Sequence, residues 1–176
     1  VTELGPNTFE DCESLSSVTL PETMESIGTY AFWNCAALKS IRIPDGVTAI
    51  GESTFAFCAN MTQIQLPESL TSIGDYAFYG SGLMSVTIPG SVLSVGESAF
   101  ENCLSLSYAT ISQGVAAIGA STFVLFIIAR TDKLMQGFKL QSHIVGIRNI
   151  STAIRGICGY TDIKIGVVTA IVMEVL

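Results

Sequence analysis

Apolar side chains recur along the chain in fixed columns spaced 22 or 23 residues apart. One column is Leu15, Leu38, Met61, Leu83 and Leu106; a second is Val18, Ile41, Ile64, Val86 and Ala109. Leu20, Ile43, Leu66, Ile88 and Ile111 form a third. Beyond the next turn come Met24, Val47, Leu70, Val92 and Val115, then Ile27, Ile50, Ile73, Val95 and Ile118. Polar residues alternate with the second and third columns, so each unit predicts a short strand with one apolar face.

Three other markers share the period. Glycine stands at positions 5, 28, 51, 74, 96 and 119, and phenylalanine at 9, 32, 55, 78, 100 and 123. Proline stands at 21, 44, 67 and 89, and Ser112 takes the next place. The unit reads L-x-x-I-x-I-P-x-x-V-x-x-I-G-x-x-x-F-x-x-C. Proline ends the strand because it has no N–H for a continuing ladder. V-x-x-I turns a second short segment inward, and glycine admits a backbone approach that a Cβ would hinder. The Phe then places a large ring inside, on a turn or short helix. One such unit buries too little apolar surface to fold alone, which predicts a stacked array.

One step is shortened. Tyr79-Gly80-Ser81-Gly82 replaces the F-x-x-C turn, and a one-residue deletion in a loop is expected to leave the core registers intact. The string lacks the frame of a phosphate-binding loop.

These residues carry a resemblance. Ile43-Pro44-x-x-Val47-x-x-Ile50-Gly51-x-x-x-Phe55-x-x-Cys58-x-x-Met61-x-x-Ile64-x-Leu66-Pro67 resembles the BspA-type, or treponemal-type, leucine-rich repeat. The resemblance covers residues 1–123, about five repeats beginning mid-repeat. It implies a right-handed, β-rich leucine-rich repeat solenoid with a parallel sheet on one face. It further implies a cell-surface or secreted protein that binds host matrix or cell-surface proteins, as adhesins and surface antigens do. The family carries no shared catalytic or cofactor-binding residues to transfer.

The repeat stops after Phe123. Residues 124–176 are rich in Ile, Val and Gly, contain no proline, and follow no clear period. A cap over the open core, a small separate domain and a shifted reading frame all remain open for them. The chain starts at Val1 within a repeat, so it reads as a fragment, and the absence of a leader says nothing about location.

Charge divides at the same place. Residues 1–122 carry twelve acids and two bases, a net −10, whereas 123–176 carry a net +3 with scattered bases. An acidic array disfavours nucleic acid and anionic membranes as partners. No apolar run reaches the roughly 18 residues of a membrane span.

Candidate chemistry is sparse. Cys12, Cys35, Cys58 and Cys103 occupy one slot, with Ser81 and Phe126 in it elsewhere. Coils about 4.8 Å apart are a poor match to disulfide geometry, so buried thiols are expected, and no C-x-x-C pair suggests zinc. Cys158 has no readable role. His143, the only histidine, lies beside no nucleophile motif. Glu52, Asp75 and Glu97 follow the I-G turns and read as solvated. Asn60-Met61-Thr62 and Asn149-Ile150-Ser151 match a glycosylation acceptor pattern that short sequences meet by chance. No catalytic, metal or cofactor site is assigned, and an enzyme site in 124–176 would have no motif behind it.

The outward positions of the first strand are the candidate binding face. They form the columns Ser17, Ser40, Gln63, Ser85, Tyr108 and Thr19, Arg42, Gln65, Thr87, Thr110. Solenoids present such columns as one extended surface, and Arg42 and Tyr108 are of types enriched at binding hot spots. The alternative is that these polar residues only keep a sheet soluble in a structural spacer.

Overall fold

The computed structural model describes residues 1–123, a parallel β-solenoid of about five coils. The phase of the repeat sets where each strand falls. The strands are β1 (Glu3–Leu4), β2 (Ser26–Ile27), β3 (Ser40–Arg42), β4 (Ala49–Ile50) and β5 (Gln63–Gln65), followed by β6 (Ser72–Ile73), β7 (Ser85–Ile88), β8 (Ser94–Val95), β9 (Tyr108–Ile111) and β10 (Ala117–Ile118). Phe126, His143, Asn149, Cys158 and the whole 124–176 segment, and with it the far side of the expected boundary after 123, lie outside the described residues.

The I-x-I segments make the first side of the coil. Strands β3 and β5 pair in parallel, as do β7 and β9, with Ser40 opposite Gln63 and Ser85 opposite Tyr108. The residue just before each strand keeps the column continuous. Lys39 N–H bonds the Ser16 carbonyl, Thr62 the Lys39, Met84 the Thr62 and Ser107 the Met84 carbonyl. The shortened step therefore leaves the strand side in register, as expected, and Leu83 stays fully buried.

Proline then turns the chain. The N–H of the residue three positions later bonds the proline carbonyl at Pro21, Pro44, Pro67 and Pro89. V-x-x-I makes a second side, which the sequence pattern predicts as a second short inward-turned segment without assigning it as strand. It is a row of two-residue parallel strands, in which β4, β6, β8 and β10 are neighbours and β1 pairs β2. From Gly28 onward, the glycine closing each of these strands lies against the coil before it. Gly96 N–H donates to the Ile73 carbonyl at 2.8 Å, and a Cβ on Gly96 would stand 2.4 Å from the Asp75 nitrogen. Close approach between coils, rather than an unusual dihedral, is what requires glycine there.

The third side has no strand, yet it is laddered too. Tyr30, Phe32 and Asn34 donate N–H groups to the carbonyls of Glu52, Thr54 and Ala56 in the next coil, and the other coils repeat this. The intervening peptides close local turns, such as Trp33 N–H to the Tyr30 carbonyl. Two left-handed residues per coil make the alternation work, as at Tyr30 (φ 57°) and Asn34 (φ 54°).

The core is the sum of the columns. Six phenylalanine rings from Phe9 to Phe123 stack along the axis with centroids 4.9–5.5 Å apart. Beside them Leu38, Ile43, Val47, Ile50, Met61 and Leu70 are fully enclosed.

Candidate functional site

Strand alternation puts the two predicted columns on the outside. Ser40, Arg42, Gln63, Gln65, Ser85, Thr87 and Tyr108 are exposed, and Thr110 is half-buried. Ser17 and Thr19 are exposed as well, but residues 17–19 form no strand, so the face thins towards the first coil. Register brings Arg42 beside Gln65 and Thr87 beside Thr110. Tyr108 is 61% exposed, the largest side chain on this face.

Arg42 is not an isolated cation. Its Nη1 donates to Glu22 Oε1 at 2.5 Å, and its Nη2 stands 3.7 Å from Asp45 Oδ1. The hydrogen bond from Arg42 holds the Glu22 carboxyl below its usual range. Any partner that takes Arg42 must therefore compete with two carboxylates of the chain itself.

The other predicted features fall elsewhere. Cys35, Cys58 and Cys103 are buried free thiols and Cys12 is half-buried. Glu52, Asp75 and Glu97 are exposed; Glu52 accepts the Tyr30 hydroxyl at 2.8 Å, and Asp75 accepts the Glu97 N–H at 2.7 Å. That bond to Glu52 raises the Tyr30 hydroxyl pKa above its ordinary value. Gly80 is left-handed (φ 64°), and Ser81, in the cysteine slot, lies 3.3 Å from the Cys103 sulfur. Asn60 is exposed. Among the described residues, no cluster of three or more His, Cys, Asp or Glu is placed to hold a metal ion, and no helix is long and apolar enough to cross a membrane.

One group of residues escaped the sequence reading. On the third side, Trp33, Phe57, Tyr76 and Tyr79 surround an open depression of about 380 Å³, with Ser53 and Ala56 beneath and Glu101 at its edge. Phe57 stands edge-on to Trp33 (5.7 Å, 81°) and to Tyr79 (5.4 Å, 70°). Asn102 Nδ2 donates to the Tyr79 hydroxyl and holds that ring. The signal was present in two columns, Tyr30-Ser53-Tyr76 and Trp33-Ala56-Tyr79, each with a small residue between two aromatic ones.

Comparison with known proteins matches this geometry. The BspA-type leucine-rich repeat region matches residues 1–126 in six copies. The chain is similar to a leucine-rich repeat protein from Bacteroides ovatus, with 35% identity over 68% of this chain and 35% of that one (TM-score 0.61). It is similar to a leucine-rich cell surface protein from Faecalibacterium prausnitzii, with 32% identity over 63% of this chain and 36% of that one (TM-score 0.51). The pneumococcal vaccine antigen PcpA is similar at 26% identity over 59% of this chain and 27% of that one (TM-score 0.55). This chain thus spans about a third of the length of the first two. A search of curated proteins returned no match. With six copies of the motif and a coil of the matching period, the chain belongs to the BspA-type leucine-rich repeat family.

Proposed function

We propose that this chain is the recognition array of a cell-surface or secreted protein, binding host matrix or cell-surface proteins through its first sheet side. The observation that carries the reading is the division of labour within the coil. Residues that repeat are buried, whereas the outward columns vary from Ser40 to Gln63 to Tyr108 while remaining in register. A surface of that kind is extended, rigid and free to differ between coils, which suits protein recognition. Two similar proteins support the location, one a leucine-rich cell surface protein and the other a vaccine antigen. The solenoid is in general a non-enzymatic scaffold, and the proposal assigns no catalysis to it.

The test is capture of host-matrix proteins by the chain and by an Arg42→Glu, Tyr108→Ala variant. The proposal expects the variant to remain folded and to retain far less of the captured protein. Equal retention by the two would remove this face as the site. A spacer would capture nothing in either form.

A further inference from the structure

We propose that the aromatic notch on the third side is a second binding site, seating a lysine or arginine side chain from a basic segment of a partner protein. The notch is built by omission. In the third coil Ser53 and Ala56 stand where the coils on either side carry Tyr30 and Trp33, and Tyr76 and Tyr79. The depression of about 380 Å³ that this leaves is lined by Trp33, Phe57, Tyr76, Tyr79 and Glu101. Phe57 closes the space between Trp33 and Tyr79 with an edge-on contact to each.

Charge decides the occupant. The turn segments 5–13, 28–36, 51–59, 74–82 and 96–104 carry seven acidic residues and no basic one. Glu101 lines the notch itself. The two bases among the described residues, Lys39 and Arg42, belong to the strand side. Aromatic faces attract cations electrostatically, so rings and carboxylates favour the same guest. An anionic or nucleic-acid partner meets repulsion from both.

The placement of the aromatic residues is a further sign. Phe57 (φ 61°) and Tyr76 (φ 55°) are left-handed, where a bulky residue is disfavoured. The Phe57 position is filled in other coils by Asp11, Asn34, Gly80 and Asn102, all of which suit that backbone better, whereas the Tyr76 position is filled by Asn7, Tyr30, Ser53, Ser98 and Ser121. Strain of this kind persists where the surrounding structure or a function holds it.

Trp33 is the only tryptophan in the sequence, so its emission reports on the notch directly. The experiment titrates the full chain with a labelled peptide alternating Lys and Gly, and with the same peptide carrying Glu for Lys. Trp33 emission and peptide anisotropy are followed together. The expected result is a saturable response to the Lys peptide alone. Phe57→Asn and Tyr79→Ala should each weaken it about tenfold, while Leu93→Thr, on the second sheet side, leaves it unchanged. Each substitution copies a residue that a sibling coil already carries at that position, and circular dichroism confirms folding. Unchanged affinity in folded Phe57→Asn, an equal response to the Glu peptide, or no response at millimolar peptide would overturn the proposal. Displacement by tetramethylammonium at the peptide's own concentration would overturn it in favour of a small free cation.

Discussion

The thiol of Cys58 donates a hydrogen bond to the Phe32 carbonyl at 3.2 Å, across the boundary between two coils. Cys35 does the same to Phe9 and Cys103 to Phe78, both at 3.1 Å. The cysteine slot is therefore a small buried donor that adds a second hydrogen bond, from the next coil, to a carbonyl already accepting a turn N–H, as Phe32 does from Cys35. Neither redox nor metal chemistry is needed to explain why the residue recurs there.

This geometry sets a pH dependence. Burial pushes the Cys58 thiol from 9.0 up to about 12 and that of Cys103 up to about 11. A group whose pKa is higher in the folded state stabilises the fold fully below its unfolded pKa, and loses that contribution as pH climbs towards the folded value. Stability measured by urea unfolding should thus fall from about pH 9 upward, by as much as about 1.4 kcal/mol per pH unit for each thiol. Cys58→Ala should show a flatter decline than the unchanged chain. An identical slope would remove the thiol as the cause.

The glycine column should rank by how near the preceding coil lies. A Cβ on Gly96 would meet backbone at 2.4 Å, whereas on Gly51 it meets Thr29 atoms at 3.1–3.3 Å. Gly96→Ala is expected to cost about 3 kcal/mol and Gly51→Ala about 1 kcal/mol, the upper and lower ends for overpacking. Chemical denaturation of the two variants tests the order.

The phenylalanine stack should weaken most where a ring has neighbours on both sides. Phe78 lies fully buried between Phe55 and Phe100, at 5.5 and 4.9 Å. Phe78→Ala should cost about 3–5 kcal/mol. Phe9→Ala, at a half-buried ring with one stacked neighbour among the described residues, should cost distinctly less. Equal losses would mean that the rings do not act as a stack.

The Phe, Gly and Pro columns made the coil legible, because each residue type answers one geometric demand repeated every coil. The outward columns from Ser40 to Thr110 were legible for the same reason, since strand alternation leaves no other place for them. Pairing between Arg42 and Glu22 was not, because it spans 20 residues rather than one full period. The notch around Phe57 was hidden for a different reason. Trp33, Tyr76 and Tyr79 look like unrelated turn residues until neighbouring coils are laid side by side. The second row of strands was likewise obscured, its two-residue elements being too short to show alternation.

The central claim is that the repeated residues hold the coil while the residues that vary on the first sheet side do the recognising. Flow cytometry of labelled chain on host cells, with thermal midpoints measured in parallel, tests it most directly. The account predicts that Arg42→Glu with Tyr108→Ala lowers cell affinity by at least about tenfold and leaves the midpoint unchanged. Full affinity in a folded double variant would contradict it.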